Sequence, residues 1–457
     1  MSVVRHWFAA SLLAAMCSPA ASGDLHKAFE AALQNDATYQ AARADLASSL
    51  QNLPIARAGL RLTLSLSVSD TKVEGSRTID NPPFASVTQT LDYRAPVQSL
   101  NLRAPLFNRE AAKKIELAQA QEQYALALLR VRQAELADRL AKAWLDTLLA
   151  DHVLNAARTQ VQAAQVQGEV ARRRLSLGEG TRPEVADAAS TLETARVQAV
   201  EAQVLRDLAV LTVNQIAGQD ARPSAVPGQP PTSPALPPLT SSLGQLLAQA
   251  ETDSANLAAR RFAVQAAQTA VERARTGHYP RLDLVASLTQ SSNESLSTVN
   301  QSATQQSLGL QLNVPLYSGG AVSAGITQAL ADQTRAEAEL AAEQQTVARE
   351  VTRLYFAVSN GSGKLAALQT AVDAATLNLE AAQKSLASGF TTQWEIAQAR
   401  RKLAQAQQER AQGTQELLLA GLRLRLRAGE DPALAMERLD AVLVAGSFAA
   451  PASTVRP

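Results

Sequence analysis

The chain has 457 residues, 46% of them hydrophobic but only 4% aromatic, and a formal net charge of +1 at pH 7. Acids and bases are interspersed, which excludes the basic stripe of a nucleic-acid binder and the single-sign block of a charged tail. Abundant Ala and Gln with few aromatics suits long, closely packed helices better than a compact aromatic core.

The first 23 residues read as a cleaved export signal: Arg5, an apolar run from Trp7 to Met16, then small residues to Gly23. The only cysteine, Cys17, falls inside it, and Ala14-Ala15-Met16 is a poor lipoprotein triplet. The mature chain is then without disulfides or thiolate metal sites. Residues 25–58 predict one helix interrupted only at Pro54. At Leu60 the period changes to two, with Leu60, Leu62, Leu64, Leu66 and Val68 alternating with Arg61, Thr63, Ser65 and Ser67. This is a strand with one apolar face. A polar loop over 74–83 is expected next, and alternation resumes at Ser99 with Leu100, Leu102, Ala104 and Leu106.

Residues 109–177 contain one glycine and no proline, so as a helix they would extend ~100 Å at about 1.5 Å per residue. Two helices of half that length, 25–58 and 183–217, would cover it end to end. Leu136, Leu140, Trp144 and Leu148 form an apolar stripe, and Trp144 and Tyr355 read as packing residues. After a proline-rich linker the design recurs, with alternation at Leu282, Leu284, Ala286 and Leu288 and again at Leu308, Leu310, Leu312 and Val314. In the second long helix Gly361 and Gly363 predict a kink or break. The linker and the tail, with a short helix near 434–443, are expected to wrap the outside.

The recurrence is a tandem duplication. RRLSLGEGTRPEVADA, from Arg173, aligns with KSLASGFTTQWEIAQA, from Lys384, so that Leu175, Gly178, Thr181 and Glu184 meet Leu386, Gly389, Thr392 and Glu395 at an offset of 211 (386 − 175). Each copy breaks a long helix with a glycine turn and starts another behind Thr or Pro, which makes it the tip of an antiparallel helical hairpin. The expected organisation is a signal over 1–23, a first repeat over 24–220, a linker over 221–241, a second repeat over 242–430 and a tail over 431–457. The fold class is α+β and mostly α.

Four apolar-faced strands of about ten residues fit the ~9 to 11 residues that span an outer membrane. Four cannot close, because single-chain barrels start at about eight strands and an open edge in lipid leaves backbone groups unpaired. Other copies of the chain must complete the sheet. The competing readings are a soluble β-sandwich, with the leucines as its core, and a periplasmic adaptor, which has one hairpin rather than two. Enzyme chemistry is poorly supported: His26, His152 and His278 lack metal-ligand spacing, and Gly361-Ser362-Gly363-Lys364 lacks the first glycine and final Ser/Thr of a phosphate loop. No metal or cofactor is expected.

The duplicated order of helix, β-hairpin, long helix, glycine tip and helix, with Arg174, Gly178, Glu184 and Val185 in one tip and Gly389, Glu395 and Ile396 in the other, resembles the TolC family of outer-membrane channels. The resemblance implies a homotrimer whose four strands per chain make one twelve-stranded barrel in outer-membrane lipid above a periplasmic α-helical tunnel. It implies docking of a periplasmic adaptor and an inner-membrane transporter such as an ABC exporter at the tips, around Arg174, Leu175, Gly178, Leu386 and Gly389. By the same resemblance Glu395, Glu184 and Asp187 are acids of the periplasmic mouth, with Arg182 a possible latch. The family's second acid stands here as Gln398 and its basic latch as Thr391. Pro105 and Pro315 are expected at the strand-to-helix turns. The implied function is the exit duct of a tripartite exporter, for type I protein secretion or alternatively for multidrug efflux.

Overall fold

The computed structural model describes residues 24–80, 86–218, 241–293, 301–387 and 393–447. The expected signal, nearly all of the linker, Gly389, Thr391 and the end of the tail therefore lie outside the described residues.

The segment expected as one helix is three: α1 (Asp24–Asn35), α2 (Ala37–Leu50) and α3 (Asn52–Ala58). The unforeseen break is at Asp36. Its carboxylate accepts the Tyr39 N–H at 2.7 Å, capping α2, and takes two bonds from the Arg139 guanidinium at 3.0 and 3.2 Å. A side-chain cap of this kind replaces the continuing helical bonds. The second break, at Gln51, puts Pro54 in the first turn of α3, where a missing N–H has no helical partner to lose.

Strands β1 (Thr63–Ile79), β2 (Val87–Asn108), β3 (Arg281–Asn293) and β4 (Gln301–Asn313) form one antiparallel sheet in that order. The register joins the two repeats, with Leu100 opposite Leu288 and Leu102 opposite Ala286. Leu64, Leu102, Ala286 and Leu308 share one face, as do Leu66, Leu100 and Leu288. Ser65, Asn101, Ser287 and Ser307 share the other. The strands of the first hairpin, 17 and 22 residues, exceed the expected ten, because pairing continues through the segment read as a polar loop. Lys72–Glu74, Lys72–Asp92 and Arg94–Asp70 are ion pairs within that extension.

Helix α4 (Arg109–Ser176) is capped by Asn108, whose side chain accepts the Ala111 N–H at 3.0 Å. It packs against α5 (Arg182–Ala217) over one half and α2 and α3 over the other. Then come α6 (Leu243–Asp253), α7 (Ala255–Arg275), a 3-10 turn at Thr276–His278, α8 (Ala321–Ala387) and α9 (Gln393–Arg427). Helix α7 lies against both α4 and α8, joining the repeats.

Helix α8 runs without interruption through Gly361 and Gly363, against the expected break. A Cβ at Gly361 would stand 2.3 Å from Leu417 Cδ1, and one at Gly413 2.8 Å from Leu368 Cδ1. Gly361 and Gly413 let α8 and α9 approach closely, and this packing outweighs the ~1 kcal/mol an interior glycine costs. The tail helix α10 (Pro432–Ser447) lies on the helical body with Leu434 and Val444 exposed, and its inner face buries Ala435, Met436 and Leu439 in the largest core cluster with Leu25, Phe29, Leu136, Leu140, Trp144 and Leu418. Tyr355 packs on a second cluster with Val347, Val351 and Leu424.

Candidate functional site

Among the described residues the sheet is the part left unsatisfied by the chain's own folding. The leucine face of the sheet packs against no other element among the described residues, with Leu66 69% and Leu308 76% exposed. This removes the sandwich reading, in which these leucines would be core. Strands β1 and β4 are the two edges, so their outer backbone rims have no ladder among the described residues.

The opposite face carries hydroxyls and amides. Ser67 and Ser99 hydroxyls lie 3.1 Å apart, and those of Ser287 and Ser307 2.7 Å apart. Near its helical end sits the buried Asp283, paired to Arg103 across the strands. A greasy face backed by a hydrated one is the arrangement of a pore wall in lipid.

Pro105 and Pro315 occupy different settings. Pro105 lies inside β2, where the register shifts between Pro105 and Phe107, and the strand continues to Asn108. Proline tolerates a bulge because no ladder N–H is required of it there. Pro315 lies past the end of β4, in the segment that turns through Gly319 and Gly320, both at positive φ, into α8. The guanidinium of Arg109, at the start of α4, stacks on Tyr279, 4.9 Å from the ring centre, just before β3.

At the first tip, α4 ends in a Schellman arrangement. The Glu179 N–H donates to Arg174 C=O at 2.9 Å and the Gly178 N–H to Leu175 C=O at 3.1 Å, with Gly178 at φ +78. Gly180, which the sequence reading passed over, is required too: a Cβ there would lie 2.9 Å from the Leu175 backbone nitrogen. Thr181 then opens α5 with a capping box, its hydroxyl accepting the Glu184 N–H while the Glu184 carboxylate accepts the Thr181 N–H at 3.3 Å. Glu184 therefore has a structural partner as well as an exposed carboxylate. Arg182 forms no ion pair with Glu184 or Asp187 among the described residues, since Glu184 is turned back to the cap.

The structure brings Arg174, Glu184, Asp187 and Leu386 to one cleft of about 1300 Å³ between the two hairpins, which also takes in His152 and Arg401. Leu175, Arg182 and Glu395 stand outside it. Glu395 is exposed in the first turn of α9, where a carboxylate favours the helix dipole. In the same cleft His152 is held below its ordinary range by burial and secondarily by the Arg410 charge. Burial also lowers Arg410.

The sequence reading also missed the outer face of α5. Val197, Val200, Val204, Leu208 and Leu211 recur at steps of three and four, each at least half exposed. The spacing alone was the signal, since it marks a helix seam that wants a partner helix.

A family model described as outer membrane efflux protein matches residues 28–219 and 246–430. Proteases secretion protein PrtF of Dickeya chrysanthemi is 32% identical over 88% of this chain and 87% of its own length. Alkaline protease secretion protein AprF of Pseudomonas aeruginosa is 28% identical over 97% and 91%. The crystal structure of the Campylobacter jejuni CmeC outer membrane channel superposes with a TM-score of 0.74 at 14% identity, covering 92% of this chain and 90% of that one. The two matched segments each hold one pair of antiparallel strands and one pair of long packed helices, and the chain belongs to the outer membrane efflux protein family.

Proposed function

We propose that three copies of this chain join their sheets edge to edge into a twelve-stranded outer-membrane barrel and their helices into a periplasmic tunnel, the exit duct of a tripartite exporter. The observation that carries this is the open sheet: an exposed leucine face with unpaired edges at β1 and β4. An edge in lipid leaves backbone groups unsatisfied at several kcal/mol each, about an order of magnitude more than a protein can tolerate over a whole strand. Pairing β1 of one copy with β4 of the next removes both edges. The apolar seam on α5 supports the same assembly lower down, as a surface for a helix of the neighbouring copy.

The duct is passive and hydrolyses nothing; an inner-membrane transporter of the ABC exporter kind supplies the energy and a periplasmic adaptor bridges the gap. The adaptor docks at the tips, around Arg174, Leu175, Gly178, Leu386 and Gly389. Residues 1–23 direct export and are removed. Glu395 and Asp187 face the mouth as its acids, with Glu184 contributing while it caps α5, and Arg182 serves as a latch to an acid of another hairpin. The cargo is protein: the relatives at 32% and 28% identity are named for protease secretion, which favours type I secretion over drug efflux.

A strain lacking this chain separates these cargoes. Loss of an exported protein from the medium with dye efflux intact supports secretion, and the reverse supports efflux. In planar bilayers Glu395→Gln should weaken cation selectivity or block by divalent cations. Unchanged currents would remove Glu395 from the pore.

A further inference from the structure

Beyond the leucine band the first hairpin exchanges its faces. The face that carries Leu64, Leu66 and Val68 continues as Asp70, Lys72 and Glu74 on β1, opposite Pro96, Arg94 and Asp92 on β2. Charges of this density are costly against hydrocarbon and cheap in water, so the lipid boundary falls just past Val68 and Gln98. The other face, which is Ser65, Ser67, Ser99 and Asn101 within the barrel, becomes Val97, Ala95, Tyr93 and Leu91 on β2 and Val73 on β1. Both inversions happen at the same level.

The inverted part stands without neighbours in its own chain. The β2–β3 ladder starts at Val97 and Ser291, so residues 87–96 of β2 and 70–79 of β1 form a lone two-stranded ribbon, roughly 30 Å long at about 3.4 Å per residue. Such a ribbon is marginally stable in water by itself. On its apolar face Val73, Leu91, Tyr93 and Ala95 are half-buried, while Asp92, Arg94 and Lys72 are exposed. Gly75 stands opposite Leu91, whose Cδ1 would lie 3.9 Å from a Cβ at that position, an ordinary contact.

We propose that the apolar faces of three such ribbons, one from each copy, converge on the threefold axis outside the membrane and form a collar that narrows the exit. This rests on the trimeric reading above. In a closed barrel the face opposite the lipid face is turned to the axis in every copy, so symmetry sets three identical apolar surfaces against one another. A twelve-stranded wall lies about 12 Å from its axis, given a strand spacing of about 4.8 Å and a tilt of about 40°. A modest inward lean of each ribbon closes that distance, and the charged outer faces keep the assembled collar wetted. An apolar constriction of this kind gates ion flow by dewetting.

The test compares the two faces of the ribbon in the full-length protein carrying Cys17→Ser. Tyr93→Cys should form an interchain disulfide under mild copper-phenanthroline oxidation, and single-channel conductance should fall at least about two-fold and recover with reductant, as expected for a narrowed pore. Asp92→Cys, on the outer face, should not cross-link. Leu91→Ser with Tyr93→Ser should raise conductance. Native mass of the same samples separates the failures. A trimer in which Tyr93→Cys stays uncross-linked and the serine variant conducts as the parent overturns the collar and leaves the barrel standing. A serine variant with parental conductance but slowed protein export would mean that this face meets the passing chain instead. A monomeric parent overturns the collar and the trimer together.

Discussion

In the first half of the chain the strands run 17 and 22 residues, and β2 passes directly into α4 through the Asn108 cap; in the second half they run 13 each, and a turn with two positive-φ glycines separates β4 from α8. Among the described residues the long helices run 68 and 67. The helical frame is thus copied closely while the ends diverge. Helices must match because each long one packs along its neighbours through an alanine-rich seam, where a change of register would move every contact. The hairpin ends face water and tolerate extension, and one of them has been extended.

The copies agree in one device that composition did not announce. Helix α1 breaks before α2, and α6 before α7, and into each break fits the glycine that ends the returning helix: Gly218 against Asn35, Gly429 against Asp253. Both glycines have positive φ, +101 and +91. The fits differ in rigidity. A Cβ at Gly429 would meet Asp253 backbone atoms at 2.5 Å, and one at Gly218 only the Asn35 amide at 3.0 Å. Gly429→Ala is expected to cost about 3 kcal/mol or more from strain plus overlap, and Gly218→Ala about 1–2 kcal/mol. Thermal melts in detergent, followed by circular dichroism, should rank them so; equal costs would mean that the two breaks are equally yielding.

The caps at these breaks should separate the copies next. Asp36 caps α2 and holds Arg139, whereas the Ser254 side chain makes no cap bond to α7. Asp36→Ala should lose about 2–3 kcal/mol and Ser254→Ala about 0.5 kcal/mol in the same melts. A smaller effect follows at Gly361, whose counterpart 211 residues earlier is Ala150 (361 − 211). Gly361→Ala presses on Leu417 but gains helix propensity, for a net loss of about 1 kcal/mol, and Ala150→Gly loses about the same from propensity alone. Urea midpoints of the two variants test this.

The smallest effect is a pH dependence confined to the first copy, because the counterpart of His152 is Gly363. Burial and Arg410 keep His152 neutral in the folded chain below its ordinary 6.5. The unfolded chain binds the proton more readily there, so stability falls as pH drops from 6.5 towards the lowered native value. His152→Gln should flatten that slope, as melts at a series of pH values would record.

Much of this architecture was legible in the sequence. Period-two leucines mark the barrel part of each strand, and the offset of 211 pairs the tips from sequence alone. The ribbon beyond Val68 was not, because on β1 Asp70, Lys72 and Glu74 alternate with Thr71 and a lone Val73, and on β2 Pro96 reads as a breaker that interrupts the alternation of Leu91, Tyr93, Ala95 and Val97. The break at Asp36 contains neither glycine nor proline. At Gly361 the local rule pointed the wrong way: propensity predicts a weak helix, while the decisive contact with Leu417 is 56 residues distant (417 − 361). At the tips the capping role of Thr181 was readable from Thr-x-x-Glu, whereas the cleft joining Arg174, Asp187 and Leu386 depends on how two hairpins splay.

Completion of this sheet by other copies of the same chain is what the open edges of β1 and β4 demand. The protein mass of the particle extracted from outer membranes in mild detergent, with bound detergent subtracted, tests it most directly. Three chains per particle is the result expected, with twelve strands closing one barrel. A monodisperse single chain would contradict it, leaving the exposed leucines and both sheet edges to be covered by something else.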